Sequence, residues 1–323
     1  MQPLTLIARI LLASLALVSN GWGQGVYPDR PVRIIVGFSA GGSSDVLARL
    51  AAQSLSKALN QSFVVENRSG ATGNIAHEAV AKAAPDGYTL LFATTDVTLN
   101  GATAKDLRFN PEKDFSPITQ VTFAPLILFT RPGVGGADIK ELIAYIRSNP
   151  GKLSYASTGR GTTTHLAVEQ LKLLAKIDIL HVPYKGAAPA ITAVLSGETE
   201  LLFTTQVSAK GQLDAGKLRA VAIASVARSS QLANVPTFAE FGYPVEFGTW
   251  FGLLAPASTS PAIVNQLYTT LQKAGQTAEF RDKILGLGGE IILSSPEAFK
   301  DFIGKDVRNW KALVKVPGSN ADL

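Results

Sequence analysis

The chain has 323 residues, 46% hydrophobic and 17% charged, with no cysteine. That composition excludes a disordered or disulfide-stapled protein and suffices for one large or two medium domains around packed cores. The formal net charge of +5 is spread along the chain rather than clustered, which favours steering of small anions and argues against a nucleic-acid partner.

The first residues form a unit of their own. Arg9, the apolar run Ile10–Val18 and the small polar stretch Ser19–Gly25 have the layout of a secretory signal peptide, too short to span a bilayer. Residues 1–23 are expected to be removed on export to the periplasm of a Gram-negative bacterium. The lack of cysteine leaves no thiol for a lipid anchor, so a soluble monomer that is not membrane-embedded is expected.

From Gln24 onward strand and helix patterns alternate. Val32–Val36 reads as a strand, and the small-residue loop Gly37–Asp45 leads into an amphipathic helix carrying Val46, Leu47, Leu50, Ala51 and Leu55. A strand at Phe63–Glu66, a helix over Gly73–Ala84, the Asp86-Gly87 break and a strand at Tyr88–Thr94 follow. The unit recurs further on. A helix over Asp138–Ser148 and a strand at Leu153–Ala156 lead through Ser157–His165 into a helix with Leu166, Leu171 and Leu174. Then come a strand at Ile179–Val182, a helix at Pro189–Leu195, and strands at Glu200–Thr204 and Leu218–Ala224. Phe115–Arg131 and Phe247–Ala255 are long, apolar and β-like without a helix of their own, as strands crossing between two lobes would be. The last helix starts at a Ser294 or Ser295 cap with Pro296 behind it and stops at Pro317-Gly318. The predicted fold class is therefore α/β with two lobes, each a mostly parallel sheet flanked by helices. Residues 24–124 and 247–323 form the first lobe, and residues 125–246 the second.

The loops Gly37–Asp45 and Ser157–His165 share one layout: strand, small-residue turn, helix. Such a turn presents free N–H groups and the positive end of a helix dipole to an anion. A matched pair, one in each half, points to two lobes gripping one anionic ligand. Gly37–Gly41 also fits the G-x-S-x-G nucleophile elbow, which makes a secreted serine hydrolase using Ser39 the alternative. Against it, one strand alone precedes the loop, and the histidines, His77, His165 and His181, include none late in the chain. Gly211–Lys217 fits G-x₄-G-K but is followed by Leu218, not by the Ser or Thr that holds Mg²⁺. Three scattered histidines supply no metal set, and no cofactor is expected.

Tyr27–Pro31 (YPDRP), FSAGGSSD, Val64–Arg68 (VVENR), Pro85–Leu90 (PDGYTL), Asn149–Leu153 (NPGKL), Gly161–Leu166 (GTTTHL), His181–Gly186 (HVPYKG), Ala215–Ala220 (AGKLRA) and Val235–Thr237 (VPT) follow in order. Through them the whole mature chain resembles the Bug-type substrate-binding receptors of tripartite tricarboxylate transporters. The resemblance implies a two-lobed, type II-like periplasmic-binding-protein fold, a small carboxylate in the interlobe cleft, and delivery to a two-subunit membrane permease. It also implies that loop amides hold the carboxylate, here Phe38, Ser39, Ala40, Gly41, Gly42 and Ser43 in the first loop. Thr158, Gly159, Arg160, Gly161, Thr162, Thr163 and Thr164 are their counterparts in the second. Asp45 matches the family's loop-ending aspartate, as ligand contact or helix cap. Thr95 and Asn100 match a third loop, and Thr204 through Gln206 a fourth. Family members often carry an acidic residue at the place of Thr204 and a small or amide residue at that of Arg160. Both departures favour an anionic distal group on the ligand, for which Arg160 would be the bidentate partner. Asp96, beside the cleft, would instead pair with an amine.

Overall fold

The computed structural model describes residues 27–104 and 106–313; the expected signal peptide and the Pro317-Gly318 stop lie outside them. In chain order the first part runs β1 (Val32–Val36), α1 (Ser43–Leu59), β2 (Phe63–Asn67), α2 (Asn74–Ala81), β3 (Thr89–Thr94), α3 (Asp96–Thr103) and β4 (Phe115–Thr130). The middle continues with α4 (Ile139–Ser148), β5 (Ser154–Ser157), α5 (Thr163–Ala175), β6 (Leu180–Pro183), α6 (Ala187–Ser196), β7 (Leu201–Thr205), α7 (Gln206–Asp214) and β8 (Arg219–Ile223). The last part comprises β9 (Gly248–Pro256), α8 (Pro261–Ala274), α9 (Ala278–Gly286), β10 (Glu290–Ile291) and α10 (Pro296–Leu313).

Strand order along the curled sheet is β2-β1-β3-β9-β4-β7-β5-β6, with β8 and β10 also paired to β4. β1 lies parallel to β2 and β3, and β5 parallel to β6 and β7, as the strand–helix alternation requires. β4 and β9 are antiparallel to each other and to their outer neighbours β7 and β3. The sheet is therefore mixed where mostly parallel pairing was expected. The reason is directional: β4 carries the chain out of the first half and β9 brings it back, so the two run opposed. β4 pairs with β9 as far as Pro125 and with β7 from Leu126 onward.

Side-chain alternation shows why both faces are covered. In β1, Val32, Ile34 and Val36 join the core under α1, α8 and α9, while Ile35 joins the one formed with α2, α3 and α10. In β7, Leu201 and Phe203 face the core under α4 and α5, and Leu202 faces that under α6 and α7. The four helices α3, α7, α8 and α9 have no counterpart in the helices read from the sequence. For α3 the sequence DVTLNGAT is poor in helix formers, and the element is held by burial of Val97, Thr98, Leu99 and Asn100. Asp306 of α10 fastens it by accepting from Thr98 Oγ1 at 2.6 Å and from Trp250 Nε1 at 2.9 Å.

Candidate functional site

A narrow cavity lies where the two halves meet. On one side it is bounded by Phe38 and the start of α1, and on the other by Thr158, Thr164, the start of α6 and the end of β7. Helix starts leave backbone donors without intrahelical acceptors. Some helices answer with a side-chain cap, as Asp138 accepts from Glu141 N at the start of α4 and Thr277 from Phe280 N at the start of α9. α1 and α5 do not: Gly42 and Thr162 stand at their N-caps and neither caps with its side chain. The Ser43 amide donates to Ser208 Oγ at 2.8 Å and the Thr163 amide to Asp96 Oδ1 at 3.2 Å. The amides of Ser44 in α1 and Thr164 in α5 find no protein acceptor among the described residues, and both residues line the cavity. Two positive helix ends thus border one small space, the arrangement that attracts an anion.

Several other loop amides are spent on shaping the loops. In the first loop Ser39 N donates to Lys185 O at 3.2 Å, Gly41 N to Asp45 Oδ2 at 3.0 Å and Gly42 N to Ser39 O at 3.4 Å. In the second, Thr158 N donates to Thr164 Oγ1, Gly159 N to Ser157 Oγ, Gly161 N to His165 Nδ1 and Thr162 N to Gly159 O. Of the expected site residues, Phe38, Gly42, Ser43, Thr158, Thr164 and Thr204 line the cavity. Ala40 and Gly41 are exposed at the tip of the first loop. Asp45 braces the loop rather than facing the cavity: it accepts from Gly41 N and from Arg49 Nε. Burial raises its pKa, but the Arg49 and Gly41 hydrogen bonds outweigh that and hold it below the usual carboxylate range.

Three expectations are corrected. Arg160 is exposed at the loop tip and contributes its carbonyl, which accepts from Thr72 Oγ1 at 3.1 Å, so its guanidinium is not among the cavity-lining groups. Thr95 is turned into the protein, where its Oγ1 accepts from Trp250 N at 2.9 Å. Gln206, buried as the first residue of α7, lies against Gly288, away from the cavity lining. Sequence reasoning missed Ser44, Thr94, Leu126, Ala187, Thr249 and Phe251 in the lining. Thr249 and Phe251 had a usable signal, since they share one face of the recognised crossing strand Phe247–Ala255. Thr205 is 2% exposed, and its Oγ1 has no partner among the described residues.

The hydrolase reading finds no support in the geometry. Ser39 Oγ is buried without a hydrogen-bond partner, so no histidine activates it. His77 sits edge-on to Phe109, where burial alone pushes its imidazole down to about 3. His165 and His181 form a column beneath the second loop: their rings stack at 4.1 Å, and Tyr155 stacks on His181 at 4.8 Å. His181 Nε2 lies 2.6 Å from Ser157 Oγ, and Tyr155 donates to Glu169 Oε1 at 2.8 Å. Burial and then the neighbouring His165 push His181 down to about 4, and burial also lowers His165. Both rings are thus neutral near pH 7, and His165 Nδ1 stays free to accept the Gly161 N–H. Asp96, at the start of α3, is 4% exposed and lines the cavity. It accepts from Thr94 Oγ1 at 3.0 Å and from Thr163 N, and burial outweighs both bonds and pushes its carboxyl up to about 6.

The family model described as "Tripartite tricarboxylate transporter family receptor" matches residues 47–318. Protein BugT of Bordetella pertussis (strain Tohama I) is 34% identical over 297 residues, covering 91% of each chain. The structure of periplasmic binding protein BugD superimposes with a TM-score of 0.86 at 34% identity, over 90% of this chain and 98% of that one. MatC from Rhodopseudomonas palustris, solved with bound malate, superimposes with a TM-score of 0.84 at 31% identity, over 90% of this chain and all of the other.

Proposed function

Because this chain belongs to the tripartite tricarboxylate transporter receptor family and is a periplasmic solute-binding receptor, we propose that its solute is a small organic acid held in the cavity between the two halves. The observation that carries this reading is the pair of uncapped helix N-termini, α1 and α5, bordering one cavity with the Ser44 and Thr164 amides unspent. A carboxylate there receives charge-assisted hydrogen bonds from neutral donors, and the aligned dipoles add to them. The malate seen in MatC supports a carboxylate as the ligand.

The two lobes of the proposal are residues 24–124 with 247–323, and residues 125–246. They close on the ligand by a hinge motion at the two crossing strands. Contacts that a hinge would make and break are present: Ser39 N to Lys185 O, Ser43 N to Ser208 Oγ and Thr72 Oγ1 to Arg160 O. The mature receptor is a monomer that begins near Gln24, has no catalytic role, and hands its ligand to a two-subunit integral membrane permease.

Thermal unfolding and calorimetry with a panel of organic acids, malate included, test the reading. A ligand at 100 times its Kd stabilises the receptor by about 2.7 kcal/mol. If no acid produces a saturable shift, the reading fails.

A further inference from the structure

Among the described residues, Asp96 is the one titratable side chain in the cavity lining; its companions are Phe, Gly, Ser, Thr, Leu and Ala. It is 4% exposed and takes part in no ion pair among those residues. Its partners are neutral, namely Thr94 Oγ1 on Oδ2 and Thr163 N on Oδ1. Each carboxylate oxygen accepts two hydrogen bonds, so half of its capacity is open. Thr205 Oγ1, in the same lining, is buried without a partner among the described residues. A buried carboxylate without a counter-charge is costly, and a cation brought to it recovers much of that cost. A second carboxylate in the same place would add like-charge repulsion instead.

We propose that Asp96 determines specificity by selecting a ligand that carries an ammonium group, a small amino acid. Its carboxylate lies against the N-termini of α1 and α5, and its amino group donates to Asp96 and Thr205 Oγ1. This rests on the organic-acid receptor reading and narrows it. An ammonium has three donors and no acceptor, which matches two acceptors that the protein leaves open. The Thr163 amide fixes the Asp96 carboxylate at the start of α5, so the acceptor for the ammonium stands beside donors for the ligand's carboxylate. The exposed Arg160 takes no part.

Matched pairs of ligands that differ only in the amino group test this: aspartate against succinate, glutamate against glutarate, alanine against propionate. Calorimetry on the wild-type protein is expected to find at least one pair in which the amino member binds ~30-fold or more tightly than its partner. In Asp96→Asn that ratio is expected to fall to near unity. Asparagine retains an oxygen for the Thr163 amide, and unfolding of the ligand-free variant reports whether the fold is kept. If the variant does not fold, the wild-type ranking alone decides. Binding of the plain acids with no preference for any amino member overturns the proposal and leaves the receptor reading standing. An unaltered preference in folded Asp96→Asn also overturns it. If none of the six compounds, nor any acid of the wider panel, binds the wild type, the receptor reading itself fails.

Discussion

Thr205 is the position at which stability and binding are expected to move in opposite directions. It ends β7 and stands at the N-cap of α7, yet its side chain makes no capping bond, and its Oγ1 is buried without a partner. Thr205→Val keeps the β-branched shape that suits the end of a strand and removes only the hydroxyl. A buried polar group left unsatisfied costs about 1–3 kcal/mol, so the ligand-free variant is expected to be more stable by about 1–2 kcal/mol. For a chain of this size that is a rise in Tm of roughly 2–3 °C. On the proposed binding mode the hydroxyl contacts a charged group of the ligand, and its loss is expected to weaken binding by about 1.5–3 kcal/mol, roughly 10- to 150-fold. Scanning calorimetry of the ligand-free protein and titration with the best ligand of the panel measure the two effects separately. A ligand-free variant destabilised by 1 kcal/mol or more would refute the reasoning, because the hydroxyl would then have been satisfied before the ligand arrived. Unchanged affinity would show that Thr205 is no ligand contact.

A Cβ added at Gly186, where φ is +132°, would lie 2.5 Å from Ser39 Oγ and 3.0 Å from Ser39 N, so Gly186→Ala is expected to oppose closure. With strain of about 1–3 kcal/mol confined to the closed form, apparent affinity falls at least ~5-fold. Small-angle scattering with ligand should then show a more open molecule, and wild-type affinity would contradict the hinge reading. Stability should decline as pH falls from about 6.5, because His77 and His181 are depressed to about 3 and about 4 in the folded protein and must charge on unfolding. For the fully buried His77 this amounts to a few kcal/mol. Asp96, raised to about 6 from 3.8, acts in the opposite sense across that interval, so Asp96→Asn should steepen the decline; an unchanged slope would contradict its burial as a charge. Arg160→Ala is expected to cost mono- and dicarboxylates equally and little, within about 0.5 kcal/mol, as for a surface residue. A selective loss for the dicarboxylate on calorimetry would return Arg160 to the cleft.

Strand and helix periodicity alone located β1, β3, β5, β7 and the helices α1, α2, α4, α5 and α6, because each buries an alternating or 3.6-periodic face that is written locally. The two strand–turn–helix loops were legible for the same reason, and the order of motifs over the whole chain was enough to identify the family. Which amides remain free was not legible. The sequence reading placed them in the turns, from Phe38 to Ser43 and from Thr158 to Thr164. In the structure the amides of Ser39, Ser43 and Thr163 are taken by Lys185 O, Ser208 Oγ and Asp96, acceptors remote in sequence, while those of Ser44 and Thr164 stay unspent in the cavity lining. The direction of Arg160, the inward turn of Thr95 and the antiparallel passage of β4 beside β9 were likewise decided by the packing of one half on the other. A sequence window fixes which groups a turn can offer. Whether a donor is spent, a charge buried or a side chain turned outward depends on the groups that the rest of the chain brings within about 3 Å, the range of a hydrogen bond.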